Sequence, residues 1–212
     1  MLVPVGLVLA PHYSGFSVGQ YQERLREAAA AKGVTAAGIE SWHLEEAYLR
    51  FLTTAVDDAL AGMVADAGID RERVKVLFTA HSLPERVLAD DPYPDQLRQS
   101  AAEVAARVGL HRWAGWTVAW QSAGRTPEPW RGPDILTVIR QLAETGRADG
   151  VLVCAQGFVA DHLEVLYDLD IEARKVADEV GLAFARTRSL NDDPDVLAAL
   201  ADRVIAVADT LA

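Results

Sequence analysis

The 212-residue sequence predicts an α/β fold in which Rossmann-type parallel sheets are covered by helices on both faces. Three observations carry this expectation. Short apolar runs alternate with longer segments whose apolar residues recur at spacings of three and four. The runs are nearly continuous, as strands buried on both faces require. Polar and chemically competent residues follow the runs, at what would be the carboxyl edge of a parallel sheet, where open α/β sheets bind ligands.

Each element follows in order. The apolar run at 5–10 leads into Pro11-His12-Tyr13-Ser14 and a helical pattern at 19–32. A run at 36–41 precedes His43 and a helix at 45–67. The run at 74–80 ends in His81-Ser82-Leu83-Pro84, before a helix at 93–108. The run at 116–120 is followed by Gln121-Ser122-Ala123-Gly124 and a helix at 134–145. A run at 151–155 opens a polar stretch from Gln156 to Glu164, and a helix is expected over 161–180. The last run, 182–185, precedes Ser189-Leu190-Asn191-Asp192 and a helix at 194–211. There is no fixed-period repeat and no Gly/Ser linker; the best candidate boundary is 66–73.

Bulk composition narrows the function. With 31 acidic and 20 basic side chains the net charge is −11, and no run of Lys or Arg is present. Such a chain repels nucleic acid and anionic membranes, and it raises the local concentration of cations. At most a peripheral membrane contact is expected. Cys154 is the only cysteine, which excludes a disulfide within the chain and argues against an iron–sulfur or structural zinc site. The apolar opening lacks a basic flank and reads as a buried strand, not a signal peptide. No apolar run approaches the ~18 residues of a membrane span. The expected compartment is the cytoplasm.

Two clusters carry the chemistry. The first is Thr79-Ala80-His81-Ser82-Leu83-Pro84-Glu85. Ser82 and Glu85 have capping-box spacing, and Pro84 suits a helix's first turn. His81 would then precede the cap, where an apolar residue is usual, so helix entry does not explain it. Two readings stay open: a core histidine satisfied by a backbone carbonyl, or a base facing a crevice.

The second cluster runs from Asp161 to Glu172. In a helix Glu164, Asp168 and Glu172 form one ladder with about 6 Å between rungs. Asp161 and Glu164 could form an Asp variant of the capping box, and the helix dipole favours acids in the first turn. Neither account reaches Asp168 or Glu172. Asp170 has Arg174 four residues on, and Lys175 could screen Glu172. A ladder so little compensated suits passing a divalent cation along oxygen ligands. A plain acidic solvent face is the alternative.

These clusters and the blocks around them resemble the ferrochelatase family. The blocks are Leu77-Phe78-Thr79-Ala80-His81-Ser82-Leu83-Pro84, Asp91-Pro92-Tyr93-Pro94, Trp120-Gln121-Ser122, Pro129-Trp130-Arg131-Gly132-Pro133, Gly157-Phe158, 161–172 and Ser189-Leu190-Asn191. They stand in the family's order, from about Leu7 to the C-terminus. Residues 10–14 and 126–130 look closest to the branch acting on coproporphyrin III. Chains of related fold that act on sirohydrochlorin or insert cobalt lack the Trp-Gln-Ser and Pro-Trp blocks.

The resemblance implies a chelatase-like fold with one complete lobe, 73–212, carrying the catalytic residues, and the C-terminal remainder of another, 1–72. It implies a lyase of heme biosynthesis inserting Fe2+ into coproporphyrin III, with protoporphyrin IX the nearest alternative. His81 matches the histidine facing the porphyrin nitrogens, and Glu164 the carboxylate across the macrocycle. Asp168 and Glu172 match acidic rungs that bind or relay metal, so His81, Glu164, Asp168 and Glu172 are the candidate metal ligands. His12, Tyr13, Ser14, Trp120, Gln121 and Ser122 are implied at the substrate site, although Trp120 and Trp130 suit packing better. Iron is a substrate; no permanently bound cofactor and no iron–sulfur cluster is expected.

The family chain also begins well before this Met1. The first strand of the N-terminal lobe, its loop with a tyrosine and an arginine near the metal, and helices over one side of the porphyrin have no counterpart here. Half a parallel sheet would leave an apolar edge that invites self-association. A second hypothesis follows: a non-catalytic porphyrin- and metal-binding half, holding divalent metal weakly through the ladder with little turnover.

Overall fold

The computed structural model describes residues 3–111 and 115–211. Strand β1 (Val5–Leu7) pairs in parallel with β2 (Ala37–Ile39), with a π-helical turn (Gly15–Gly19) and α1 (Gln20–Ala30) between them. A second, four-stranded parallel sheet contains β3 (Val74–His81), β4 (Trp116–Gln121), β5 (Gly150–Cys154) and β6 (Ala183–Arg186), in the order β4-β3-β5-β6. Helix α2 (Glu46–Ala67) runs between the sheets in sequence. The remaining helices are α3 (Tyr93–Val108), α4 (Ile135–Glu144), α5 (Leu163–Val165), α6 (Arg174–Glu179) and α7 (Pro194–Asp209).

The apolar runs form strands because the larger sheet is buried on both faces. Val74, Val76 and Phe78 of β3, with Leu152 and Cys154 of β5, turn to one core shared with α2, α3 and α7. Leu77, Val151 and Val153 turn to the other, which α4 and α6 close. With no wet face, the period-two alternation disappears. Burying each Leu, Val or Phe contributes roughly 1.5–3 kcal/mol. Helix starts follow local chemistry: Asp134 accepts from the amides of Leu136 and Thr137, and Asp193 accepts from that of Val196.

Some local expectations fail. Ser82 and Glu85 form no capping box; the chain makes a 3-10 turn at Glu85–Val87, and Ser82 Oγ donates to the Arg131 carbonyl at 2.8 Å. The helix expected over 161–180 starts at Leu163 and is π-helical over Leu166–Ala173. Asp161 is not its cap. Its carboxylate accepts from Ser189 Oγ at 2.8 Å and Asn191 Nδ2 at 3.1 Å. Helix α2 packs Tyr48, Phe51, Leu52 and Leu60 into a core of the four-stranded sheet and covers this face of it. Among the described residues no helix is long and apolar enough to cross a membrane.

Candidate active site

Strand order decides where a ligand can enter. β3 leads through α3 to β4 on one side, and β5 leads through α5 and α6 to β6 on the other. Helices α3 and α6 lie in opposite cores. The carboxyl ends of the neighbours β3 and β5 therefore part, which opens the crevice of a doubly wound sheet. His81 ends β3, and the loop after β5 carries the chain to Glu164. Gly157 lets that loop lie against β3. Its amide donates to the Thr79 carbonyl at 3.0 Å, and a Cβ there would come within 2.4 Å of Ala80 Cβ.

The crevice holds one titratable pair. His81 Nδ1 donates to the Ser82 carbonyl at 2.5 Å. A carbonyl only accepts, so Nδ1 carries the proton of the neutral ring and Nε2 keeps its lone pair. Nε2 lies 3.4 Å from Glu164 Oε1, and the two side chains are 36% and 45% exposed. The carbonyl partner and the crevice are thus both present: one ring nitrogen anchors while the other faces the carboxylate.

Two cavities meet at this pair. One, about 340 Å³, is lined by Pro11, His12, Ser14 and Phe16 after β1 and by His81 and Tyr93 across from them. The other, about 520 Å³, is lined by Gln121, Ser122, Glu164, Asp168 and Glu172, with Arg125 as a basic side chain among them. Asp168 accepts from Ser122 Oγ and from Gln121 Nε2, the latter at 3.4 Å. Ser122 makes this contact at a φ of 60°, a conformation costing about 1 kcal/mol or more for a residue with a Cβ. The four candidate metal ligands do not converge on one point. Among the described residues no group of three or more His, Cys, Asp or Glu side chains could hold a metal ion. Glu164, Asp168 and Glu172 instead follow one another along one wall of the second cavity. The expected neighbours of this wall differ too: Asp170 is held by Arg186 at 2.7 Å and not by Arg174, and Lys175 pairs with Glu179 at 3.8 Å.

The residues expected at the substrate site divide. His12 and Ser14 line the first cavity, Gln121 and Ser122 the second. Tyr13 lines neither; its amide donates to Gln96 Oε1 at 2.7 Å. Trp120 is a correction. It is 4% exposed and packs with Ala80, Leu88, Tyr93 and Leu97, since its inward register on β4 puts the ring in the core. The sequence marks Gln156 only as the start of a polar stretch and does not mark Ser100 at all. Ser100 Oγ donates to Gln156 Oε1 at 3.0 Å, and Gln156 Nε2 donates to the Leu97 carbonyl at 2.9 Å. With its proton given to Gln156, Ser100 accepts at 2.8 Å from His12 Nε2. No local periodicity announces a chain of contacts between such distant positions.

Burial pushes the His12 pKa well below its ordinary 6.5, and the nearby His43 adds to this; His43 is itself lowered, mainly by burial. A lowered folded pKa means the unfolded chain binds more protons below its own pKa. Stability is therefore full above pH ~6.5 and lost as pH falls below it, by up to about 1.4 kcal/mol per pH unit for His12. Urea unfolding at pH 7.5 and 5.5 (chosen to bracket about 6.5) should show a loss at the lower pH that His12→Asn reduces. An equal loss in both proteins would place the pH dependence elsewhere.

A doubly wound parallel sheet with a histidine–carboxylate pair at its switch point defines an α/β protein whose candidate site lies at the carboxyl edge of the sheet. The solved structure of SirB from Bacillus subtilis with Fe3+ has this fold, with a TM-score of 0.56 over 99% of this chain and 71% of that one, at 13% identity. A sequence model of the ferrochelatase family matches residues 4–207, and the chain belongs to that family. The coproporphyrin III ferrochelatases of Geobacillus kaustophilus and Bacillus subtilis are 43% and 41% identical to it over 203 residues, matching 95% of this chain and 62% and 64% of theirs. The ferrochelatase of Herpetosiphon aurantiacus is 45% identical over 193 residues, 90% of this chain and 61% of its own. The chain thus spans about three fifths of the length of these relatives.

Proposed function

We propose that this chain inserts Fe2+ into coproporphyrin III, a step of heme biosynthesis, in the cytoplasm. The observation that carries this reading is His81 Nε2 standing 3.4 Å from Glu164 where the cleft between the sheets meets the acid-lined cavity. Metallation releases two pyrrole protons: a neutral imidazole with a free lone pair is suited to accept one, and the other passes to the water that the partly exposed pair meets. Glu164 then stabilises the imidazolium. The macrocycle takes the cleft bounded by His12, Ser14 and His81, and a cation reaches it past Glu172 and Asp168. A cleft that holds the macrocycle distorted would expose the ring lone pairs to the metal. The names of the relatives favour coproporphyrin III over protoporphyrin IX as the substrate.

A second reading is a porphyrin- and metal-binding half without turnover of its own, kept because the match takes in 62% of the Geobacillus relative. Turnover separates the two. The purified chain is mixed anaerobically with Fe2+ and coproporphyrin III, or with protoporphyrin IX, and metalloporphyrin absorbance is followed. The catalytic reading expects a rate proportional to chain concentration and faster with coproporphyrin III. Absence of any rate while porphyrin and metal both bind would establish the second reading instead.

A further inference from the structure

We propose that Arg186 is a positioning residue for the acidic wall: it takes up the two acids that do not line the cavity and so leaves Glu164, Asp168 and Glu172 aligned along it. The segment 161–172 carries five acids, Asp161, Glu164, Asp168, Asp170 and Glu172. Only three of them line the cavity. Arg186 ends β6 with its side chain 16% exposed. Its Nε and Nη2 lie 2.7 and 3.0 Å from the two oxygens of Asp170, and Nη2 lies 3.2 Å from Asp161 Oδ1. Its Nη1 donates to the Thr187 carbonyl at 3.1 Å. A planar guanidinium engaged on three sides keeps one orientation and cannot swing to neutralise the wall.

The block Ser189-Leu190-Asn191, which the site above leaves unused, completes the device. Ser189 Oγ and Asn191 Nδ2 donate to the two oxygens of Asp161, and Asn191 Oδ1 accepts the Asp161 amide at 2.9 Å. The loop entering the helix is therefore fixed three residues before Glu164. The π-helical turn is fixed on one side by Arg186 through Asp170, and on the other by Ser122 and Gln121 through Asp168. Five acids are thereby sorted into two paired with a cation and three left facing the cavity. Among the described residues neither Asp168 nor Glu172 forms an ion pair with a Lys or Arg.

The inference rests on the proposed function only in taking the wall as a path for cations, and two readouts separate the clamp from that reading. Co2+ is titrated calorimetrically into the wild-type chain, Arg186→Met and Arg186→Lys, and amide hydrogen exchange is measured over 163–173 and over β3 and β5. Arg186→Met should lose about tenfold or more in Co2+ affinity, as removal of a residue that orients metal ligands does. Its amides over 163–173 should exchange faster while β3 and β5 stay protected. Arg186→Lys keeps the charge without the fork and should fall between. Asp170→Asn serves if Arg186→Met does not fold, and it should weaken Co2+ binding as well. Undiminished affinity in the folded variants overturns the proposal. If the wild type binds no Co2+, the cation path is wrong, and exchange alone decides the clamp: unchanged exchange over 163–173 in the variants overturns it.

Discussion

Replacing His81 by Ala should reduce metal insertion by about 10²–10⁴-fold, the range that a positioned general base supplies. Porphyrin affinity should change by less than about threefold, since the ring supplies a nitrogen to the reaction and little of the cleft wall. The geometry behind this is specific. Nδ1 is committed to the Ser82 carbonyl, so the proton-accepting nitrogen is Nε2, the one beside Glu164. The substitution should leave the fold intact, because the side chain is 36% exposed and its loss opens no core cavity. Metalloporphyrin absorbance gives the rate, and quenching of porphyrin fluorescence gives the affinity. Retention of more than about a tenth of the wild-type rate would reduce His81 to a structural histidine.

The strands of the larger sheet and the helices packed on it could be read from sequence because burial on both faces writes itself as unbroken apolar runs. β3 begins at Val74, as the run does, and α3 spans Tyr93–Val108, as its periodicity requires. His81, Asp168 and Glu172 stand out in the sequence for another reason: helix entry and capping leave each of them unexplained, and Glu164 joins them only through its spacing of four from Asp168. Long-range geometry was not legible. The π-helical turn over Leu166–Ala173 leaves no signature in the spacing of apolar residues. The partner of Asp170 depends on the register of β6 beside β5, which places Arg186 within reach where Arg174 had looked the obvious mate. Asp161 looked like a helix cap because its contacts with Ser189 and Asn191 join positions about 30 residues apart. That Gln121 and Ser122 would hold Asp168 follows from β4, beside β3, facing the helix that carries the acids, and strand order cannot be counted off a sequence.

The acids of the wall should divide by kinetic parameter, because they stand at different places on the route to His81. Glu172 lies two rungs beyond Glu164 and touches neither His81 nor, in the proposed pose, the macrocycle. Glu172→Gln should therefore raise the KM for metal about tenfold and leave kcat nearly unchanged, the mark of an interaction that holds a substrate on its way. It should also stabilise the fold by a few tenths of a kcal/mol at roughly neutral pH, since it relieves a like-charge pair with Asp168. Glu164→Gln removes the counter-charge for the imidazolium forming at Nε2, 3.4 Å away. It should lower kcat by about a hundredfold, within the range for a residue acting on a proton transfer. The decisive measurement is the rate of metalloporphyrin formation against Fe2+ concentration, at saturating coproporphyrin III, for the wild type and these two variants. Delivery along the wall to the His81–Glu164 pair requires the KM change in Glu172→Gln and the kcat change in Glu164→Gln. The same change in both variants, or a fall in kcat without a rise in KM for Glu172→Gln, would contradict it.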